Sequence, residues 1–160
     1  MLKDKIIEIL EETKLSIIEN IDKQGIKASG RTQKALHVVS NENHIMLINN
    51  GTGAPFTTLQ YGRGAGKVPK NMNDILVQWM KDKGIQVEPI PYKTERQHKY
   101  TPIERGYMQR AYFISQKIQE EGTNRHKAPN ENVYTKPIEV AIAKITKLLV
   151  TEVKTIIKQE

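Results

Sequence analysis

Hydrophobic residues recur with a helical period in four stretches of the chain. Residues 2–23 carry an apolar stripe opposite a face of Lys and Glu, and residues 72–82 and 102–121 repeat the pattern. Each of these three stretches is followed within two residues by a glycine, which is the usual residue just beyond a helix end. The pattern therefore predicts three amphipathic helices at these positions.

The fourth stretch, from Pro137 onward, has the most regular apolar pattern in the chain. Its apolar positions step by four, three, four, four and three residues, at Ile138, Ile142, Ile145, Leu149, Val153 and Ile156. This spacing predicts a long C-terminal helix with one continuous apolar stripe.

Between the first two helices the period changes to that of strands. Two short apolar runs, 36–39 and 45–48, flank the polar sequence Ser40-Asn41-Glu42-Asn43, which has the composition of a turn. The second run is apolar at successive positions, so we expect both of its faces to be covered. Together these elements predict an α+β fold in one domain, residues 1–160: a small antiparallel sheet packed by the N-terminal helix and the long C-terminal helices.

Three segments lack either period and predict irregular structure. Residues 50–70 are rich in Gly and Pro and predict an extended arm with an apolar tip, which we expect to order fully only against a neighbouring subunit. Residues 86–101 contain two prolines at alternate positions, which excludes a helix or a central strand and predicts an extended loop. Residues 123–136 are polar and predict another loop.

The charge balance points to anionic or acidic partners. The chain carries 25 Lys and Arg against 18 Asp and Glu, a net charge of +7, with the lysines scattered along it. It has no cysteine, which fits a reducing compartment. The first helix is charged throughout, so we expect neither a signal peptide nor a membrane span there.

The glycine-rich stretch fails the tests for a nucleotide-binding loop. A phosphate-binding P-loop needs a glycine, four intervening residues, then Gly-Lys followed by a Ser or Thr, but Tyr61 and Val68 stand where the first glycine and the hydroxyl residue are required. The four histidines have no paired ligand spacing, and the serines have no nucleophile elbow. We therefore predict no enzyme, no cofactor and no metal.

Residues 92–112 are the stretch most like a nucleic-acid reader, because basic side chains alternate there with tyrosines. The competing interpretation is a basic loop followed by a helix whose tyrosines pack in a core or an interface. Both interpretations stay open on the sequence alone.

The order of motifs resembles the tail-completion and head–tail joining (neck) proteins of tailed bacteriophages, including those of crAss-like and other phages of Bacteroidetes. The resemblance is carried by four segments that follow the N-terminal helix: Ser29-Gly30-Arg31-Thr32, Gln60-Tyr61-Gly62-Arg63-Gly64, Ile75-Leu76-Val77-Gln78-Trp79 with Lys83-Gly84-Ile85, and Ala111-Tyr112-Phe113-Ile114 with Gly122-Thr123. A long terminal helix follows them.

The resemblance implies a non-enzymatic virion protein of α+β fold, assembled in the host cytoplasm. Proteins of this family form rings of six or twelve copies around the DNA channel, between the portal or adaptor protein and the tail-tube protein. No membrane is involved. The alternative is a basic nucleic-acid-binding accessory protein.

Two sets of site residues follow from these expectations. The candidates for contacts between subunits are Pro55, Phe56, Tyr61, Pro69 and Trp79. The candidates that face DNA or an acidic partner are Arg31, Arg63, Lys67 and Lys70. No residue is assigned to catalysis, a cofactor or a metal.

Overall fold

A computed structural model of the chain describes residues 1–51, 56–94 and 99–158. The chain divides into two compact units, which we call unit 1 (residues 1–61 and 129–160) and unit 2 (residues 62–128). Whether the two units fold together as a single domain stays a prediction.

Helices dominate both units, and the one sheet of the described residues is a hairpin. Unit 1 contains α1 (Leu2–Lys23), α2 (Arg31–Lys34), β1 (Leu36–Ser40), β2 (Ile45–Asn49), α3 (Phe56–Tyr61) and α7 (Thr135–Ile157). Unit 2 contains α4 (Met72–Asp82), α5 (Pro102–Glu121) and α6 (Asn124–Lys127). The prediction of an α+β fold with a small antiparallel sheet is confirmed.

The N-terminal helix ends where its glycine signal predicts. Gly25 adopts a φ of +63°, its N–H donates to the Asp22 carbonyl at 3.0 Å, and the Ile26 N–H donates to the Ile21 carbonyl at 3.2 Å. These two bonds satisfy carbonyls that the helix itself leaves free, in the arrangement called a Schellman motif. Gly84 ends α4 with the same pair of bonds.

The predicted hairpin forms with Leu36 opposite Asn49 and Ser40 opposite Ile45. Its turn is held by the Asn41 side-chain oxygen, which accepts the N–H groups of Asn43 and His44 at 3.0 and 2.9 Å. The expectation that both faces of β2 are covered is wrong, because Met46 is 40% exposed. The β2 side chains alternate between the two faces of the hairpin, and the face that carries Met46 is open.

Each unit has its own small core. In unit 1, Ile17 and Ile21 of α1 pack with Leu36 of β1 and with Val133, which lies just before α7. In unit 2, Leu76 and Met80 of α4 pack against Ala111 of α5. The buried positions on α1 and α4 keep the helical spacing that the sequence displays.

Two features of the C-terminal part differ from the sequence expectations. The segment 123–136 is not wholly a loop, since α6 lies within it, and α7 begins at Thr135 rather than at Pro137. A proline fits there because the first helical turn needs no intrahelical N–H donor. The segment 86–101 forms neither helix nor strand over its described residues, as predicted.

Candidate functional site

The glycine-rich stretch is packed onto the end of α5. The Gly66 N–H donates to the Gln119 carbonyl at 2.8 Å. Arg63 and Thr123 exchange two bonds: the Arg63 N–H donates to Thr123 Oγ1 at 2.9 Å, and the Thr123 N–H donates to the Arg63 carbonyl at 2.8 Å. Residues 62–66 are therefore held within unit 2. We call this contact, between residues 62–66 and residues 119–126, the glycine latch.

The latch explains why glycines are required at its two closest approaches. Gly62 has a φ of +69°, and a Cβ at this position would overlap the His126 backbone nitrogen and Thr123 Oγ1. Gly122 has a φ of +75°, and a Cβ there would lie 2.7 Å from the Arg63 carbonyl oxygen. Both the backbone conformation and the lack of space exclude other residues. The glycines serve backbone packing in place of the phosphate cradle considered above.

The expectation of an extended arm over residues 50–70 is wrong for its described part. Residues Phe56–Tyr61 form α3, and residues 62–66 belong to the latch. The tip residues 52–55 lie outside the described residues. The pattern of polar and apolar residues could not predict this packing. The latch is formed mostly by backbone groups of residues that are far apart in the sequence.

Gln60 is the residue of this stretch that sequence reasoning missed. Its side chain is fully buried, and Oε1 accepts the N–H groups of Tyr134 and Thr135 at 3.1 and 3.2 Å. Its Nε2 donates to Thr135 Oγ1 at 2.6 Å, and its carbonyl accepts the Asn130 N–H at 3.2 Å. Gln60 thus satisfies N–H groups at the start of α7 that the helix cannot satisfy itself. Nothing in the local sequence marks this glutamine as buried.

The predicted subunit contacts are scattered over both units. Pro55 lies outside the described residues, and Phe56 is the first residue of α3. Tyr61 is partly exposed and meets Tyr134 of the same chain edge to face, with ring centroids 6.3 Å apart. Burial, followed by the proximity of Tyr61, raises the pKa of Tyr134. Their role between subunits stays a prediction.

The other two predicted contacts lie in unit 2. Pro69 is exposed, and its carbonyl accepts the Met72 N–H at 3.0 Å at the start of α4. Trp79 and Ile75 of α4 are exposed by 38% and 48%, while Leu76 and Met80 hold the helix in the core. Helix α4 therefore packs through Leu76 and Met80, while Ile75 and Trp79 stay partly exposed. The role of Trp79 between subunits stays a prediction.

Three of the four cationic candidates fall in unit 2. Lys67 and Lys70 are exposed, and Arg63 donates from Nη2 to the Lys67 carbonyl at 2.6 Å. Arg31 is the first residue of α2 in unit 1, so it does not belong to this group. Residues 62–128 contain thirteen Lys and Arg against seven Asp and Glu, so by sequence unit 2 carries +6 of the net +7. We therefore expect unit 2 to attract anions more strongly than unit 1 does.

Two arginines of the stretch 92–112 are engaged within unit 2, whereas residues 95–98 lie outside the described residues. The Arg105 guanidinium lies 4.1 Å from the centre of the Tyr92 ring and donates to the carbonyls of Ile90 and Pro91 at 3.1 and 2.9 Å. Arg110 donates to the Gln86 carbonyl at 3.3 Å. These contacts hold the extended segment 86–91 against α5, which favours the packing interpretation for these two arginines.

The apolar stripe of α7 is the largest departure from what its pattern predicts. Five of its six residues are exposed by between 38% and 59%: Ile138, Ile142, Leu149, Val153 and Ile156. The helix turns a different face to α1, where Ala141 is buried and Lys144 pairs with Glu12 at 2.6 Å. The stripe is thus free along most of the helix.

The first half of the stripe, Ile138, Ile142 and Ile145, forms one wall of an open groove in unit 1. The groove has a volume of about 460 Å³, and its other walls come from α1 and the hairpin, including Leu10, Ile17, Leu36 and Leu47. Monomeric soluble proteins rarely expose a continuous apolar patch of more than a few hundred Å². Covering five half-exposed aliphatic side chains is worth about 1 kcal/mol each, on the order of 5 kcal/mol in total. The stripe and its groove therefore form a favourable apolar docking surface of unit 1.

Unit 2 has an exposed aromatic pair of its own. Tyr112 and Phe113 of α5 are exposed by 50% and 62%, and their rings meet edge to face at 5.8 Å. Neither contributes to the unit 2 core, which α5 reaches through Ala111 and Ile114 on another face. Aromatic side chains in such positions are typical anchors of protein interfaces.

No group of three metal-ligating side chains occurs among the described residues. In the same part of the chain, no helix is long and apolar enough to cross a membrane. Comparison of the chain with family models, curated proteins and solved structures finds no match.

Proposed function

We propose that this chain is a structural subunit of a tailed-phage virion, a neck or tail-completion protein that forms a homo-oligomeric ring around the DNA channel. The ring joins the portal or adaptor protein to the tail-tube protein. The proposal begins from the order of motifs described above and rests on the surfaces of the two units.

The observation that carries the proposal is the exposed apolar stripe of α7. A helix with this regular stripe is stable in water when another surface covers it. Ring subunits present two different surfaces to their two neighbours, since head-to-tail contacts close a ring. The α7 groove of unit 1 and the aromatic pair of unit 2 supply two apolar surfaces of different shape.

The charge of unit 2 supports a place beside DNA. A subunit that lines a DNA channel benefits from cations spread over a surface, because phosphates are contacted without reading bases. The scattered lysines of unit 2, with Lys67 and Lys70 exposed, fit this requirement.

Electron microscopy of the purified protein mixed with its portal or tail-tube partner tests the proposal. We expect ring-shaped particles that join the partner coaxially. A protein that stays monomeric and never joins a connector is not a neck subunit.

The second candidate function is that of a basic nucleic-acid-binding accessory protein, which the concentration of +6 in unit 2 favours. It predicts affinity for DNA without a ring. Sedimentation with and without DNA separates the two: the accessory protein would bind DNA as a monomer, whereas the ring subunit assembles in the absence of DNA.

A further inference from the structure

We propose that the α7 groove of one copy receives the Tyr112–Phe113 pair of a second copy, so that the contact between subunits is head to tail. The inference rests on the proposed ring and adds the two surfaces that form it. It is argued from shape, exposure and charge.

The two surfaces have complementary shapes. Unit 1 offers a concave apolar groove of about 460 Å³ walled by Ile138, Ile142 and Ile145 on one side and by α1 and the hairpin on the other. Unit 2 offers two adjacent rings that stand out from α5, with Phe113 exposed by 62%. A rigid aromatic side chain that enters an apolar groove is the usual centre of a protein interface.

The charges beside the two surfaces are also complementary. By their positions on the helix, Glu139 and Glu152 flank the α7 stripe, whereas Lys147 and Lys154 lie on the opposite side of α7. On α5, Arg110 and Lys117 are the neighbours of Phe113 one turn before and one turn after it. Docking α5 into the groove therefore brings opposite charges together.

A contact between two identical α7 stripes is less favourable. In such a contact the same surface meets itself, so the carboxylates Glu139 and Glu152 that flank one stripe face the same carboxylates beside the other stripe. It also closes after two subunits and leaves the aromatic pair uncovered. The α5 face is the surface that complements the groove in both shape and charge.

Two full-length variants remove one surface each. Ile142→Glu places a charge in the groove, and Phe113→Glu removes the aromatic anchor; both side chains are exposed, so the fold tolerates the changes. Val140→Glu and Ile103→Glu are the matched controls, because they alter exposed apolar residues of the same two helices outside the proposed contact. Circular dichroism checks that all four keep their helices.

Sedimentation velocity of the variants, alone and mixed, is the test. We expect wild type and both controls to assemble, and Ile142→Glu and Phe113→Glu each to dissociate with an apparent Kd raised at least about tenfold. Mixing the two defective variants restores one intact contact, between the groove of Phe113→Glu and the rings of Ile142→Glu, so dimers form and nothing larger.

Three other outcomes overturn the inference. If either defective variant assembles like wild type, the ring proposal stands and the assigned surfaces are wrong. If both dissociate and the mixture stays monomeric, the groove and the aromatic pair do not contact one another, and the assigned contact is wrong. If wild type itself never assembles, the ring proposal fails and the assignment fails with it.

Discussion

Hydrophobic pattern and packing are related in opposite ways in the two units of this chain. In unit 2 the glycine latch closes the irregular residues 62–66 onto α5, so a stretch without hydrophobic pattern is fixed by backbone contacts. In unit 1 the most regular hydrophobic pattern of the chain, on α7, is left half exposed. A regular hydrophobic pattern therefore predicts that a helix forms. It does not predict whether residues of the same chain bury the apolar side of that helix.

The largest expected effect comes from breaking the latch with Gly62→Ala. The new methyl group would overlap the backbone at His126 in addition to straining a φ of +69°, so we expect the free energy of unfolding to fall by about 3 kcal/mol or more. Chemical denaturation monitored by circular dichroism measures the loss.

Gly84→Ala is the matched control for the latch. Gly84 has nearly the same φ, +68°, and a Cβ added there would meet no atom within 4 Å, so we expect only the backbone cost of about 1 kcal/mol. Equal losses in the two variants would mean that residues 62–66 do not pack against 119–126.

In unit 1, Gln60→Leu tests whether the Gln60 side chain holds the first turn of α7, the helix whose apolar stripe is exposed. The change leaves the Tyr134 and Thr135 N–H groups without their buried acceptor, so we expect a loss of about 2–3 kcal/mol in the free energy of unfolding. Gln78→Leu, which changes an exposed glutamine of α4, serves as the control and should cost less than about 0.5 kcal/mol. A neutral Gln60→Leu would show that α7 does not depend on this residue.

The start of α5 provides a smaller test within unit 2. Thr101 Oγ1 accepts the Glu104 N–H at 3.3 Å, and a Glu104 carboxylate oxygen accepts the Thr101 N–H at 2.7 Å, which is a capping box. Thr101→Ala should lower the free energy of unfolding by about 1 kcal/mol, measured by denaturation at neutral pH. Thr146→Ala, in the middle of α7, is the control.

The same capping box predicts a pH dependence. The bond from the Thr101 backbone, then the bond from its side chain, lowers the pKa of Glu104 below its ordinary value of 4.5. A carboxyl group with a lowered pKa contributes stability above its unfolded pKa and loses it as the pH falls through its folded pKa. The difference in the free energy of unfolding between wild type and Glu104→Gln should therefore shrink as the pH falls below about 4.5; a difference that persists in full at pH 2 would contradict the role of the carboxylate.

The smallest expected effect concerns the charge contrast between the units. Removing Lys67 and Lys70 together, as alanines, should weaken DNA binding less than about tenfold and lower the slope of log affinity against log salt by about two. Lys154 of α7 and Lys158 just beyond its end, changed in the same way, should leave the slope unaltered if DNA meets unit 2. Fluorescence anisotropy with a DNA duplex at several salt concentrations separates the two pairs.

Much of the fold follows from local signals. The bounds of α1, α4 and α5 agree with periodicity and glycine stops, because each of these helices buries its predicted stripe or caps its end locally. The hairpin agrees because the Asn41 side chain favours the turn between two β-favouring runs. Such signals act within a few residues of one another.

The exposed apolar surfaces and the glycine latch could not be predicted from the local sequence, because they depend on contacts between residues far apart in the chain. Gln60 is buried by residues more than seventy positions away, and Gly62 is constrained by His126. The exposure of Ile142 depends on which face of α7 meets α1, and both faces of that helix carry apolar residues. Trp79 illustrates the same limit: its apolar character is evident in the sequence, but whether α4 buries it or leaves it 38% exposed is not.

Sedimentation of the wild-type chain over a range of concentrations tests the central claim, that the exposed α7 stripe makes this protein an assembly subunit. The account predicts a discrete assembly much heavier than the 18.3 kDa chain, which Ile142→Glu converts to monomer. A wild-type protein that sediments as a monomer at every concentration, alone and with the proposed portal or tail-tube protein, would contradict it.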